Sequence, residues 1–218
     1  MGKNCKRDGV AGLEFALISP VLLILFLGTI DISNALLTAR RMTLAAGSVA
    51  EIASTSSVQS QALNKLTDAQ AWQATTAAFA LFPGWTYPPA QQTFAITISG
   101  VDFTASPSGC TENCSYTAKV KWSVANDLGQ AQLRPCGALA EAPDTDAPSY
   151  QALPAGNFGP TSLFVADISY TFRPAFFGFV TGDIPMMQSA YISPRINNDT
   201  VLVAAGGAGA SNNCEPSS

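Results

Sequence analysis

The 218-residue chain contains no histidine and little charge: 12% of its residues are Asp, Glu, Lys or Arg, where roughly a quarter is usual for a soluble domain. Without histidine it lacks the usual general base near neutral pH and the commonest metal ligand, which sets aside most familiar catalytic constellations. The shortage of charge, beside an apolar fraction of 47%, implies a segment held in lipid or packed against neighbours. A net charge of −4 provides no basic surface to neutralise phosphates, so nucleic acid is not expected as a partner. No serine–lysine pair or nucleophile elbow with supporting context occurs, and the chain reads as a non-enzyme with no cofactor and no small-molecule substrate. The stretch AAGGAGAS at Ala204 to Ser211 lacks the lysine–serine end of a phosphate loop and reads as part of a flexible tail.

What is present begins at the N-terminus. Lys3, Lys6 and Arg7 precede a nearly uninterrupted apolar run from Val10 to Ile30, and a helix of that length covers about the 30 Å hydrocarbon core of a bilayer. A secretory signal peptide is the rival reading, but its apolar region usually covers about 7 to 15 residues and ends at a small-residue cleavage site. Here Asp31 ends the run without one. Inside the span, Pro20 removes a helical hydrogen bond and is expected to kink the helix, with Ser19 available to re-satisfy the backbone. Glu14 is the sharper anomaly. A carboxylate in a membrane helix is costly unless paired, which makes it a functional candidate, the alternative being that it snorkels to the headgroups.

Beyond Asp31 the apolar residues Ile32, Ala35, Leu36, Ala39, Met42, Ala46, Val49, Ala50 and Ala53 recur at helical spacing, predicting an amphipathic stalk over 31–58. Three basic residues before the span against Arg40 and Arg41 after it favour a cytoplasmic N-terminus. A second helix is expected over 59–81, stopping before Pro83-Gly84, with Trp72, Phe79 and Phe82 as core. The period then changes to two. Phe94, Ile96 and Ile98 alternate with Ala95, Thr97 and Ser99, and Tyr116, Ala118, Val120 and Trp122 alternate with Thr117, Lys119 and Lys121, which predicts half-buried strands. Asn126 to Gln130 reads as a turn, the proline-rich residues 137–160 as an irregular surface loop, and 162–173 and 187–194 as further strands. Helices first and strands after is the α+β pattern. One domain over 59–203, followed by a tail over 204–218, fits the length.

The stretch RDGVAGLEFALISPVLLILFLGTID resembles the N-terminus of TadE-like minor pseudopilins of the tight-adherence (Flp, type IVc) pilus machinery. In type IV pilins a prepilin peptidase cuts after a glycine, and a glutamate stands fifth in the mature chain. A cut after Gly9 would remove a basic leader, residues 1–9, and make Val10 first and Glu14 fifth, followed by Phe15; a cut after Gly12 would put Glu14 second. SLFVADISYTFRPAFFGF and QSAYISPR, with Tyr170, Pro174, Pro194 and Arg195, are similar to the family's C-terminal strands, and KWSVAN at Lys121 to Asn126 resembles another of its patches. The resemblance implies a pilin-like fold, with helices against a mostly antiparallel sheet of about four strands. It also implies a single-pass protein of the bacterial inner membrane with a periplasmic C-terminal domain, whose partners are prepilin peptidase and other pilins or pseudopilins. Glu14 would pair there with the free amine at Val10 of a neighbouring subunit. The alternative is an uncleaved, membrane-anchored periplasmic binding or adhesion domain that offers its 137–160 loop to a ligand.

Of the five cysteines, Cys5 would leave with the leader. Cys110, Cys114, Cys136 and Cys214 would remain, an even set outside the cytoplasm that is expected to form two disulfides in one of three connectivities. Zinc is the lesser reading, since Cys110 and Cys114 have a three-residue spacer and no histidine to help them. Lipidation of Cys5 lacks a lipoprotein context. Asp144 and Asp146 lack the Gly and Glu of a calcium loop and read as a solvated turn.

Overall fold

The computed structural model describes residues 8–59, 66–78, 94–125, 133–195, 200, 202–203 and 210–214. Its first element, α1 (Asp8–Gln59), is a single helix of 52 residues with Pro20 inside it, about 78 Å long at 1.5 Å per residue. The chain forms two compact units. One comprises α1 up to Thr38 together with Phe172–Ile184; the other runs from Ala39 to Thr171 and resumes at Pro185.

In the larger unit α1 buries Met42, Ala45, Ala46, Val49, Ala50 and Ala53, one face at three-to-four spacing. The small alanines let the helix backbone approach its neighbours closely. This face shares a core with Phe94, Ile96, Ile98, Trp122, Phe164 and Ile168. The expected amphipathic stripe is therefore buried from Met42 onward; Ile32 and Leu36 stay exposed, at 63% and 59%.

After α1 come β1 (Leu66–Thr67) and α2 (Asp68–Ala77). The expectation of one helix from 59 to 81 is corrected here. α2 starts at a capping box, in which the Thr67 hydroxyl accepts the Gln70 backbone N–H at 3.2 Å while the Gln70 side chain accepts the Thr67 N–H at 3.0 Å. The T-x-x-Q signature of that cap is in the sequence and marks a helix start. Phe79, Phe82 and the Pro83-Gly84 stop lie outside the described residues.

The strands follow as β2 (Phe94–Ser106), β3 (Ser115–Ala125), β4 (Gly137–Ala142), β5 (Ala152–Pro154) and β6 (Leu163–Phe172). After these come a short helix, α3 (Gly178–Thr181), then β7 (Ile184–Ile192), β8 (Leu202–Val203) and β9 (Ala210–Asn213). The main sheet has the order β5-β4-β3-β2-β6-β7, with β9 also paired to β3, while β1 and β8 form a separate parallel pair. Central β2 is antiparallel to both β3 and β6, with Thr97 opposite Ala125 on one side and Asp167 on the other. β4 and β9 are antiparallel to β3, and β5 is parallel to β4. The class is α+β with a mostly antiparallel sheet, and the sheet is larger than the four strands expected. The extra strands come from segments whose composition conceals them: β4 and β5 lie inside the proline-rich stretch 137–160, and β9 inside the stretch assigned to a tail.

Those additions change the environment of the sheet's second face. Ala95, Thr97 and Ser99, expected on a polar outer face, are 2%, 0% and 0% exposed. A second core of Val101, Val120, Leu139, Leu153, Leu163 and Val165 lies on that side, so the sheet is covered on both faces. At the bulge between Gly100 and Val101, a Cβ on Gly100 would stand 2.6 Å from Trp122 Cε2 and 2.9 Å from Thr200 Cβ. The missing side chain leaves room for the indole, whose Nε1–H donates to the Thr200 carbonyl at 2.7 Å.

Candidate functional site

Among the described residues one helical stretch, within Gly12–Thr55, is long and apolar enough to cross a membrane, and almost none of its most apolar window is buried. Leu13, Phe15, Leu17, Leu22, Leu25 and Phe26 are all more than half exposed, as a lipid-facing or helix-facing surface requires. The hydroxyls near its end are satisfied within the helix: Thr29 Oγ1 donates to the Leu25 carbonyl at 2.8 Å and Ser33 Oγ to the Thr29 carbonyl at 2.7 Å, the usual way a helix carries such groups into an apolar environment. Gly9 and Val10 lie in the first turns of α1, and Glu14 and Phe15 are exposed on it. Along the helix backbone Val10 and Glu14 are about one turn apart. Cys5 lies outside the described residues.

The smaller unit contains a contact that sequence reading missed. The Asp31 carboxylate, 6% exposed, accepts three successive backbone N–H groups: Ala175 at 2.9 Å, Phe176 at 3.1 Å and Phe177 at 2.9 Å. Asp31 also lines a cavity of about 240 Å³, together with Gly28, Ile32, Ala35, Phe172, Pro174 and Phe177, among others. The sequence signal was an acid immediately after the apolar run, read only as the end of that run.

In the larger unit the four remaining cysteines pair as Cys110–Cys114 and Cys136–Cys214, one of the three connectivities left open. The second bridge spans 78 residues and fastens the end of β9, where the Cys214 N–H also donates to the Lys121 carbonyl at 2.8 Å. By loop-closure entropy, removing it as Cys136→Ser/Cys214→Ser should cost about 4.5 kcal/mol, against about 2 kcal/mol for the four-residue loop of Cys110–Cys114. Urea unfolding of the two double variants in detergent checks the order; equal losses would show that β9 is held by its strand pairing alone.

Beneath the second face of the sheet lies a buried polar group that was also missed. Arg134 and Asp167, both fully buried, form a two-pronged pair, Nε to Oδ2 at 2.7 Å and Nη2 to Oδ1 at 2.9 Å. Arg134 Nη1 donates to the carbonyls of Tyr150 and Ala152, each at 3.3 Å, and Ser189 Oγ donates to Asp167. The Arg134 N–H donates to Ser123 Oγ at 3.1 Å, and that hydroxyl shares a hydrogen bond with Ser99. Burial raises the phenol pKa of both Tyr150 and Tyr191 nearby. With every charge answered, this cluster has the character of a structural network. Asp144 likewise has a partner within the fold, accepting the N–H of Gly156, twelve residues on, at 2.8 Å. Among the described residues no three Cys, Asp or Glu side chains converge as a metal site.

The anchor helix is also where the chain resembles known proteins. Residues 9–51 match the TadE-like protein family. This TadE-like segment runs from the residue before the apolar span to the helix face buried in the larger unit, and it supports a protein associated with the Tad pilus. The C-terminal stretches with Tyr170, Pro174, Pro194 and Arg195 lie outside the match, although Arg195 forms an ion pair with Glu51 at its last residue. No curated protein and no solved structure matches the chain.

Proposed function

We propose that this chain is a minor pseudopilin of a Tad (Flp, type IVc) pilus, cut by a prepilin peptidase between Gly9 and Val10 and needed for pilus assembly or initiation. Its N-terminus lies in the cytoplasm, its anchor in the bacterial inner membrane and its C-terminal domain in the periplasm. The observation that carries this reading is an exposed carboxylate, Glu14, on an exposed apolar helix long enough to span a bilayer, inside the segment that matches the TadE-like family. An isolated charge there is costly. The amine created at Val10 of a neighbouring subunit would neutralise it, and because both charges are costly in lipid, the pair would set subunit register more than it adds net stability. The anchor's exposed leucines and phenylalanines provide the surface for helix–helix association. The chemistry is assembly, not catalysis.

The mature N-terminus tests this. Mass spectrometry of the protein from piliated cells should find Val10 first. A chain that begins at residue 1, or is cut after Asp31, makes the anchored binding domain the better account.

A further inference from the structure

We infer that the Pro174–Thr181 loop is a second membrane contact, an aromatic wedge that inserts in the outer face of the same bilayer the anchor crosses. The inference rests on the reading of α1 as a membrane span. Within the smaller unit, Asp31 fixes the loop at the end of that span. Phe177 reaches lower, its Cε2 standing 3.7 Å from where a Cβ on Gly28 would be. Gly28 is about 4.5 Å nearer the bilayer centre than Asp31 along the helix, so the loop overlaps the apolar segment in depth.

The loop's outward side is apolar. Phe179 is 85% exposed, Val180 67% and Phe176 43%, an unusual display of large side chains for water to cover. On the helix face of Gly28 the next turn presents Ile24 and Leu25, 54% and 62% exposed, and a lipid surface covers these and the loop at once. Most of the loop's amides are already answered, which favours a dry environment where unsatisfied ones are costly. Asp31 takes the N–H groups of Ala175, Phe176 and Phe177, the Phe177 carbonyl takes those of Val180 and Thr181, and the Gly178 carbonyl takes that of Gly182. The charged Arg173–Asp183 pair, at 3.1 Å, flanks the loop and suits the headgroup level. Apolar side chains of this kind bind by sinking roughly 5–10 Å into the headgroup–acyl boundary.

The test uses the full chain with Cys5→Ser, reconstituted in phosphatidylethanolamine–phosphatidylglycerol vesicles, with a nitroxide attached through Phe179→Cys. Leu22→Cys in the span and Thr145→Cys on an exposed turn of the larger unit serve as references. The ratio of collision rates with oxygen and with a water-soluble nickel chelate should be several-fold higher at 179 than at 145 and should approach that at 22. A ratio at 179 equal to that at 145, with 22 still oxygen-rich, overturns the wedge and leaves the anchor standing. A label at 179 shielded from both reagents places a protein partner there and also overturns it. If position 22 is as open to the nickel chelate as 145, the membrane reading itself fails.

Discussion

Gly9→Arg should produce a precursor that inserts in the membrane, keeps its nine-residue leader and supports no pilus. In the pseudopilin reading proposed above, a prepilin peptidase acting at the cytoplasmic face would cut just ahead of the apolar run, where Lys3, Lys6 and Arg7 would hold the leader inside. Glycine presents no side chain to a protease cleft and lets the backbone extend, whereas arginine obstructs it. The span itself is untouched, so the loss is one of processing. Glu14→Gln separates the next step: it should be cut normally and fail to assemble, because a neutral amide cannot neutralise the neighbouring amine. Immunoblots for precursor and mature forms, beside electron microscopy for pili, read both variants. Normal piliation and subunit crosslinking by Glu14→Gln would remove the registry role.

Asp167→Ala should cost the larger unit about 3–5 kcal/mol, because it leaves the fully buried Arg134 guanidinium without its carboxylate. With domain stabilities of about 5–15 kcal/mol, that loss puts the variant close to unfolding. Replacing both partners, as in Arg134→Met/Asp167→Leu, should recover most of the loss, since a buried pair is offset by its own desolvation and two apolar side chains bear no such cost. Urea unfolding followed by tryptophan fluorescence reads the series, with Trp122 1% exposed in the core. If the double variant is no more stable than Asp167→Ala, the loss is not that of an uncompensated guanidinium and the network argument fails.

Much of the fold was legible because it follows from local periodicity. The Phe94, Ile96, Ile98 alternation identifies a strand and the Met42–Ala53 spacing a helix with its buried face, without reference to the rest of the chain; that the strand's other face, Ala95, Thr97 and Ser99, is buried too was not legible. The short strands β4, β5 and β9 were not legible. Their pairing partners lie far away in sequence, and proline and glycine in the same stretches are the usual marks of loops. The missed helix start at Thr67 was different, since its capping signature is local and was passed over in favour of a long run rich in alanine and glutamine.

The candidate site divides in the same way. Length and apolarity alone determined that α1 can cross a bilayer and that Glu14 is an anomaly within it, because the cost of charge in lipid depends on composition and position along one helix. The cysteine count allowed two bridges, but only the tertiary structure decided that Cys136 joins Cys214, since that requires β9 to return to β3. Only the tertiary structure turned Asp31 from the end of an apolar run into the acceptor of three amides from residues 175–177, and the lone acid in LFVADISYTF into the partner of Arg134. A carboxylate's partner is set by which distant donor the fold brings within about 3 Å, and no local pattern encodes that meeting.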